Sequence, residues 1–404
     1  MLNSLKIKNF RCLEDLTFNH LARVNLLVGR NNVGKSTVLE ALRIYATYGD
    51  PREIEKILNE HDETLDVVKN GEDEINLPVQ HLFTNHQIGE TKNSEIYIGN
   101  IEKTEFTEMK RTYYSFEKFP DKELKRLNKL LGMPTSASAM RRKELGTEMP
   151  KLSADSNAAK QALKVNCKSE LLKNHSRLEK KGILEFWFDF EDYDKNEYEG
   201  HSRLQKEGLF LPFSYIPTSF LSIDTIAEIW DSILLTESQK QVVEALNIIK
   251  SGVEGIGFVK RKDTTKSSSE RCVIIKMENE DKPFPLKSLG DGMTRILQLI
   301  LSLIKARNGF LLIDEFENGL HYSVHAKVWQ LVFQLAEKLN VQVFATTHSW
   351  DCVKGFGAVW EKEGNQNKGS FHRLFLNPNK NKVDVMPYDC ETLDSAIEEN
   401  IEVR

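Results

Sequence analysis

The residues best suited to chemistry form a short glycine-containing stretch near the start of the chain, Gly29 to Ser36 (GRNNVGKS). It matches the pattern GxxxxGK[ST] between an apolar run, VNLLV, and a helical run, STVLEALRIY. Glycines let backbone N–H groups curl around phosphate oxygens, and a helix N-terminus adds its positive dipole end. The pattern predicts a nucleotide site; the alternative is a Gly/Asn turn. The binding residues expected are Gly29, Asn31, Asn32, Val33, Gly34, Lys35, Ser36 and Thr37.

Within this site Lys35 is expected to reach the β- and γ-phosphates, and the Ser36 hydroxyl to ligate Mg²⁺. A second polar cluster, Asp314 and Glu315, ends the apolar run FLLI. Ligands of parallel sheets bind at the carboxyl ends of the strands, so both carboxylates are expected beside the phosphates. Asp314 would hold Mg²⁺ through its water shell, and Glu315 would orient or deprotonate the attacking water. Alone, such acidic residues are turn formers at a strand end.

Two further motifs can be interpreted either as parts of a nucleotide site or as structural features. His348 ends the apolar run FATTHS, where it can donate a hydrogen bond to the γ-phosphate or the attacking water, or be structural. The segment SLGDGM (288–293) precedes an amphipathic helix, and its hydroxyl, glycine amides and helix N-terminus would make a second anion-binding end. One nucleotide does not need two such cradles from one chain, so this one is predicted to face the nucleotide of a partner copy. The alternative is an ordinary Gly-rich N-cap.

The elements that must position these residues alternate between strand-like and helical patterns, which predicts a parallel α/β sheet. The expected strands include 5–7, 16–18, 24–28, 183–188, 210–215, 257–261, 272–276, 310–313 and 341–345. The expected helices are 35–45, 223–235, 239–250, the segment after 286, and 323–339.

Composition bounds the classes of protein that this chain can be. Its 404 residues suit two domains, or one domain with a large insertion. The net charge of −5 excludes a polybasic nucleic-acid binder, and no apolar run approaches the ~20 residues of a membrane span. Five scattered cysteines and no signal-peptide pattern predict a cytoplasmic protein with reduced thiols.

The charge is unevenly distributed. Residues 101–180 carry 18 Lys and Arg against 11 Asp and Glu, a net of +7. This Lys-rich, Pro-broken stretch predicts a basic insertion of short helices without a coiled coil. The predicted domains are 1–100 with the phosphate loop, the helical insertion 101–181, and 182–404 with the remaining motifs. The insertion would contact DNA or present a solvated face.

In this order the motifs resemble the ABC-type ATPases, specifically the SMC/OLD-like branch. The resemblance rests on LKIKNFRCLEDLTF before GRNNVGKS, and on SLGDGM, FLLIDEFENGLH and TTHS. It implies an ABC/SMC-like P-loop ATPase head of the α/β class, with a mixed β subdomain and a parallel-sheet core. It also implies two heads sandwiching two ATP molecules with Mg²⁺, Arg11 near the phosphates and a loop crossing the dimer interface. The family signature would act in trans through Ser288, Gly290, Asp291 and Gly292, and the interface loop would contain Glu317, Asn318 and Gly319.

The chain departs from that pattern at several positions. Leu289 replaces the first signature glycine, Lys287 replaces a leucine, and the family's glutamine is matched only by the candidates Gln80 and Gln87. Coiled-coil arms are absent, and little chain follows TTHS, so a Toprim nuclease domain is not expected.

Residues 214–259 resemble the stand-alone ATPases of bacterial anti-phage systems such as PARIS. The resemblance implies a slow ATPase that dimerises, or forms a higher homo-oligomer, and controls a separate effector, a nuclease. Candidate triggers are DNA or a phage protein, and no membrane is involved. The alternatives are an SMC-like DNA repair or recombination ATPase, and an ATP-bound assembly scaffold with little turnover.

Overall fold

The computed structural model describes residues 1–63, 78–86, 95–118, 140–146, 160–169, 183–189, 210–260, 271–363 and 368–403. The chain forms two compact units. The first comprises Met1–Lys6, Asp15–Thr47 and Phe210–Arg404, and the second comprises Ile7–Glu14 and Tyr48–Leu209. No helix in the described ranges is long and apolar enough to cross a membrane.

Sixteen strands are described. In chain order they are β1 (Leu5–Phe10), β2 (Leu13–Phe18), β3 (Val24–Val28), β4 (Ile96–Gly99), β5 (Phe106–Lys118), β6 (Met140–Gly146), β7 (Lys160–Lys168), β8 (Ile183–Asp189), β9 (Phe213–Ile216), β10 (Val253–Lys260), β11 (Arg271–Met277), β12 (Phe284–Pro285), β13 (Phe310–Ile313), β14 (Gln342–Thr347), β15 (Gly369–Asn377) and β16 (Lys382–Tyr388).

Eight α-helices are described, together with short 3₁₀ turns such as Leu286–Leu289. The α-helices are α1 (Lys35–Ala46), α2 (Pro51–Glu60), α3 (Ile223–Ile233), α4 (Glu237–Ile249), α5 (Asp291–Lys305), α6 (His325–Lys338), α7 (Trp350–Glu363) and α8 (Cys390–Glu398).

The sheet that matters most for the site has six strands in the order β16-β15-β3-β14-β13-β9. All neighbouring pairs from β15 to β9 are parallel, and β16 pairs antiparallel with β15 at one edge. β3, β13 and β14 are buried along their whole length, and β13 is wholly apolar, as expected for a strand covered on both faces. The expected parallel α/β core is confirmed.

Helices α5 and α6 supply much of the core beside this sheet. From Arg295 to Ile304 every residue of α5 is buried, and α6 buries Trp329, which stacks on Phe316 with 3.7 Å between ring centroids. Trp329 also donates its indole N–H to the carbonyl oxygen of Cys352, so α6 and α7 are joined by a hydrogen bond as well as by packing. This packing supports the loops that follow β13 and β14.

The remaining strands form two further sheets. One has three strands in the order β10-β11-β12, and the other has seven, in the order β2-β1-β4-β5-β7-β8 with β6 paired to β5. The mixed β part of the predicted fold class is therefore present.

The prediction of short helices in 101–181 is wrong for the described part of that range, which forms β5, β6 and β7. β5 pairs with β4, and β7 pairs with β8, so the range shares one sheet with residues on both sides of it. The missed signal is a period of two: Leu163, Val165 and Cys167 are fully buried and alternate with polar residues. The predicted breaks at 136–139 and 153–158, and the acidic run 189–199 except its first residue, lie outside the described residues.

Candidate nucleotide site

The phosphate loop follows a strand that has a parallel neighbour on each side. β3 lies between β15 and β14, and the loop begins at Gly29, directly after Val28. Gly29 has φ 151°, and a Cβ atom on it would lie 2.4 Å from the carbonyl oxygen of Leu374 in β15. Only glycine allows this close approach, so β15 sets the path by which the chain leaves β3.

The loop ends at the N-terminus of α1. Gly34 precedes the helix with φ 94°, and Asn32 also has a left-handed φ of 61°. The residue before α1 is a glycine, which has no side chain to cap the helix, and a helix N-terminus with its positive dipole end suits an anion. Lys35 Nζ donates to the carbonyl oxygens of Gly29 and Arg30 at 2.8 and 3.0 Å, which holds the ammonium over the loop.

Burial lowers the pKa of Lys35, and the carboxylates of Asp314, Glu315 and Glu317 oppose that shift. Three acidic side chains are therefore close enough to act on this ammonium electrostatically. The loop and the end of β13 therefore lie close together, and their joint role in nucleotide binding stays a prediction.

Ser36 and Asp314 are joined directly. The Ser36 hydroxyl donates to the Asp314 carboxylate with Oγ 2.9 and 3.1 Å from the two oxygens. Thr346 donates to the same carboxylate at 2.6 Å, and Thr218 at 3.3 Å. These hydroxyls and one carboxylate suit a Mg²⁺ ion that takes its other ligands from phosphate and water. The described residues contain no cluster of three His, Cys, Asp or Glu that would make an all-protein metal cage.

Glu315 is held in an unusual backbone conformation. Its φ of 49° is left-handed, and its N–H donates to the Thr346 hydroxyl at 2.9 Å. A non-glycine residue keeps such a conformation only where its surroundings impose it, which is common at functional sites. The Asn318 amide donates to Glu315 Oε2 at 3.2 Å, which further fixes the carboxylate.

His348 lies beside two carboxylates at the end of β14. Its Nδ1 is 3.5 Å from Glu315 Oε1 and 3.4 Å from Glu317 Oε1. Glu317 also accepts hydrogen bonds from the Thr347 hydroxyl at 2.7 Å and from the His348 backbone N–H at 3.1 Å. Sequence reasoning assigned Glu317 only to an interface loop, whereas the structure gives it direct contacts to the His348 segment.

The signature segment also belongs to the first unit. Ser288 and Gly290 are exposed, and a Cβ on Gly290 would meet nothing within 4 Å. In the described residues no hydrogen bond joins either of them to the phosphate loop. A Cβ on Gly292 would lie 3.3 Å from the Gly319 carbonyl oxygen, so the signature and the predicted interface loop of one chain touch.

Sequence reasoning missed Arg295, which lies in α5 directly after the signature. It is fully buried and donates from Nη2 to the carbonyl oxygens of Asp314 and Glu315, both at 3.4 Å. Burial lowers the pKa of Arg295 to about 10, against the opposing effect of Asp314, Glu317 and Glu315. The available signal was an arginine at the start of the mostly apolar run of α5.

Arg11 belongs to the second unit. Its Nη1 and Nη2 donate to the two carboxylate oxygens of Glu63, each at 2.9 Å, and both side chains are mostly buried. Its expected contact with phosphate stays a prediction. Gln80 also belongs to the second unit, in the 3₁₀ turn Pro78–Leu82, and Gln87 lies outside the described residues.

The chain is similar to a known family of ATPase domains and to curated proteins of two organisms. Residues 1–353 match the family model described as AAA ATPase domain. A curated ATP/GTP phosphatase of Helicobacter pylori is 20% identical over 364 residues, 88% of this chain and 87% of that protein. An uncharacterized protein of Methanocaldococcus jannaschii is 40% identical over 45 residues, 11% of this chain and 20% of that protein.

Two solved structures have low overall similarity. An SMC head bound to the C-winged helix domain of ScpA has a TM-score of 0.48 at 10% identity, covering 96% of this chain and 98% of its own. The SMC head domain from Thermotoga maritima has a TM-score of 0.41 at 10% identity, with the same coverage.

Proposed function

Because the chain belongs to the AAA ATPase domain family, we propose that it binds ATP with Mg²⁺ at Gly29–Ser36 and hydrolyses the bond between the β- and γ-phosphates. The observation that carries the proposal is the contact between Ser36 and Asp314, with Glu315 next in sequence. It supports placing the metal ligands and the catalytic carboxylate at one point. The similar H. pylori protein is named as a phosphatase for ATP and GTP, so both nucleotides are substrates to test.

Each residue of the proposed site has its own role in phosphoryl transfer, which depends on positioning and charge stabilisation. Lys35 and the amides at the start of α1 neutralise the phosphates, and Ser36 and Asp314 would hold Mg²⁺, which supplies further charge neutralisation. Glu315 orients the attacking water and accepts its proton, since its carboxylate is fixed by Asn318. His348, with its ring against Glu315, donates a hydrogen bond to the γ-phosphate or the water.

The signature residues act on a second copy of the chain. Ser288 and Gly290 are exposed, and the face of Gly290 is open, which suits contact with the nucleotide of a partner. Asp291, Gly292 and the loop at Glu317–Gly319 then border that interface. Two ATP molecules would close a homodimer, and association would depend on nucleotide.

We also propose that the chain controls a separate effector. The chain resembles stand-alone ATPases of bacterial anti-phage systems, so the effector expected is a nuclease and the trigger DNA or a phage protein. A slow ATPase that dimerises on ATP can hold an effector and release it when turnover changes. DNA-stimulated turnover with a steep salt dependence would instead favour a repair or recombination ATPase. Absence of turnover with and without a trigger would favour a scaffold.

Two variants test the site. Lys35→Ala should abolish ATP binding because the loop loses the ammonium that faces the phosphates. Glu315→Gln should bind ATP normally and accumulate as an ATP-bound dimer, measured by size-exclusion light scattering with Mg²⁺ and ATP. Unchanged nucleotide affinity in the first variant, or wild-type turnover in the second, would contradict the proposed site. Glu237→Gln, at an exposed helix position, is the control.

A further inference from the structure

A cavity of about 360 Å³ opens beside the phosphate loop. It is lined by Gly29, Arg30 and Asn31 of the loop, by His348, and by Arg373 and Glu402. The first four residues belong to motifs already assigned to the nucleotide. Arg373 in β15 and Glu402 after α8 belong to none of them.

Strand register explains why Arg373 reaches this cavity. Val28, the last residue of β3, pairs with Arg373 of β15 on one side and with Thr347 of β14 on the other. All three strands are parallel, and adjacent strands lie about 4.8 Å apart. Arg373 and His348 therefore flank the start of the phosphate loop from opposite sides, at the carboxyl edge where α/β sheets bind ligands.

The lining of the cavity includes two permanent cations, Arg30 and Arg373, and one carboxylate, Glu402. His348 is a further donor, and its ring lies 3.5 and 3.4 Å from the carboxylates of Glu315 and Glu317. Arginine presents planar paired donors that match phosphate oxygens. The nearest anion that the proposed function supplies is the nucleotide's phosphate chain.

The position of His348 indicates which phosphate of the nucleotide would lie in this cavity. Its ring contacts the carboxylate of Glu315, the residue proposed to orient the attacking water. The wall formed by His348 is thus the hydrolysis end of the site, where the terminal phosphate lies and from which inorganic phosphate departs.

We propose that Arg373 is a further phosphate-binding residue that contacts the terminal phosphate of the bound nucleoside triphosphate, while Glu402 opposes binding of that phosphate. The inference rests on the proposed nucleotide site and adds a residue to it. Because ADP lacks the terminal phosphate, Arg373 distinguishes the triphosphate from the diphosphate. Glu402 carries like charge toward the same group, so its removal acts in the opposite direction.

The test compares Arg373→Gln, Arg373→Lys and Glu402→Gln by calorimetric titration with Mg²⁺ and either AMPPNP or ADP. Arg373→Gln should weaken AMPPNP binding about tenfold or more, the loss expected for a charge-assisted hydrogen bond, and change ADP binding less than about twofold. Arg373→Lys should lie between, since a point charge replaces the paired donors. Glu402→Gln should strengthen AMPPNP binding relative to ADP.

Lys382→Ala is the matched control, since it removes a cation from β16, outside the cavity. Thermal unfolding checks that each variant is folded, and Arg373→Lys decides the matter if Arg373→Gln is not. Equal losses for AMPPNP and ADP, or no loss for either, would overturn the role of Arg373. If Lys35→Ala abolishes binding while Arg373→Gln does not alter the ratio, the nucleotide site stands and this inference fails. If the wild-type chain binds neither nucleotide, both fail.

Discussion

The Ser36 hydroxyl donates a hydrogen bond to the Asp314 carboxylate, with 2.9 Å between Oγ and Oδ2, across 278 positions of sequence. The contact joins the first turn of α1 to the end of β13. Both side chains are the proposed ligands of one Mg²⁺ ion, so this contact joins the two segments that would form the metal site.

Replacing Asp314 with Asn should therefore weaken the Mg²⁺ dependence of the ATPase more than nucleotide binding itself. The amide keeps the size of the side chain and one accepting oxygen but loses the charge that a hard cation prefers. The Mg²⁺ concentration for half-maximal turnover should rise about tenfold or more, on the order of 1.4 kcal/mol or more. A Mg²⁺ titration at saturating ATP measures it, and an unshifted curve would remove Asp314 from the metal site.

Gly29→Ala should damage both folding and nucleotide binding. The added Cβ would lie 2.4 Å from the Leu374 carbonyl oxygen, so β15 or the loop must move. We expect a loss of about 1–3 kcal/mol in the free energy of unfolding, the usual cost of overpacking, together with loss of ATP binding. Gly255→Ala in β10 is the control, because a Cβ there meets nothing within 4 Å. Equal stabilities of the two variants by urea titration would contradict the close approach.

Glu317→Ala should lower kcat while leaving the Kd for ATP nearly unchanged. Its carboxylate accepts from the Thr347 hydroxyl and the His348 N–H, so its removal frees the segment that carries His348. A positioning role predicts a loss of about tenfold to a hundredfold in kcat, in the range of misplaced catalytic groups. Single-turnover kinetics with binding measured separately resolves the two quantities, and a parallel loss of affinity would argue for a structural role.

His372 should make stability depend on pH. Its Nε2 lies 3.0 Å from the Ser370 hydroxyl, which in turn donates to Asn25 Oδ1 at 2.7 Å, so we expect Nε2 to carry a proton. Burial, with a smaller effect of His20, lowers the pKa of His372 to about 4. The unfolded chain, with a pKa near ~6.5, binds the proton more readily, so stability is present above that pH and is lost as pH falls toward 4.

Between pH 7 and pH 4 the wild-type chain should lose about 2–3 kcal/mol more unfolding free energy than His372→Phe, which cannot titrate at this position. Urea titrations across that range measure the difference. The two chains are compared by the slope of unfolding free energy against pH, because the variant also loses the hydrogen bond to Ser370 at every pH. Parallel curves would show that His372 is not held neutral in the folded chain.

Short-range patterns predicted the elements that carry the proposed site. β3 and β13 have the predicted bounds, and α1 extends the predicted helix by one residue, because a buried apolar strand and a helix that follows a glycine-containing loop leave local signals. Burial of Arg295 and the contacts of Glu317 and Arg373 depend on which strands become neighbours. Strand order involves residues hundreds of positions apart and leaves no local periodicity. The strands of 101–181 were missed for another reason: their many lysines outweighed a visible alternation.

The placement of β3 between β14 and β15 has a consequence for how the protein is made. The first part of the site to be synthesised is a fully buried five-residue strand whose two neighbours come from residues 342–377. At ~5–20 residues per second, a ribosome needs on the order of 15–60 seconds to supply them. During that interval the strand edges are unpaired and the loop lacks the Leu374 carbonyl that sets its path. The nascent chain should therefore depend on chaperones that shield apolar segments, and it should acquire nucleotide affinity only late in synthesis.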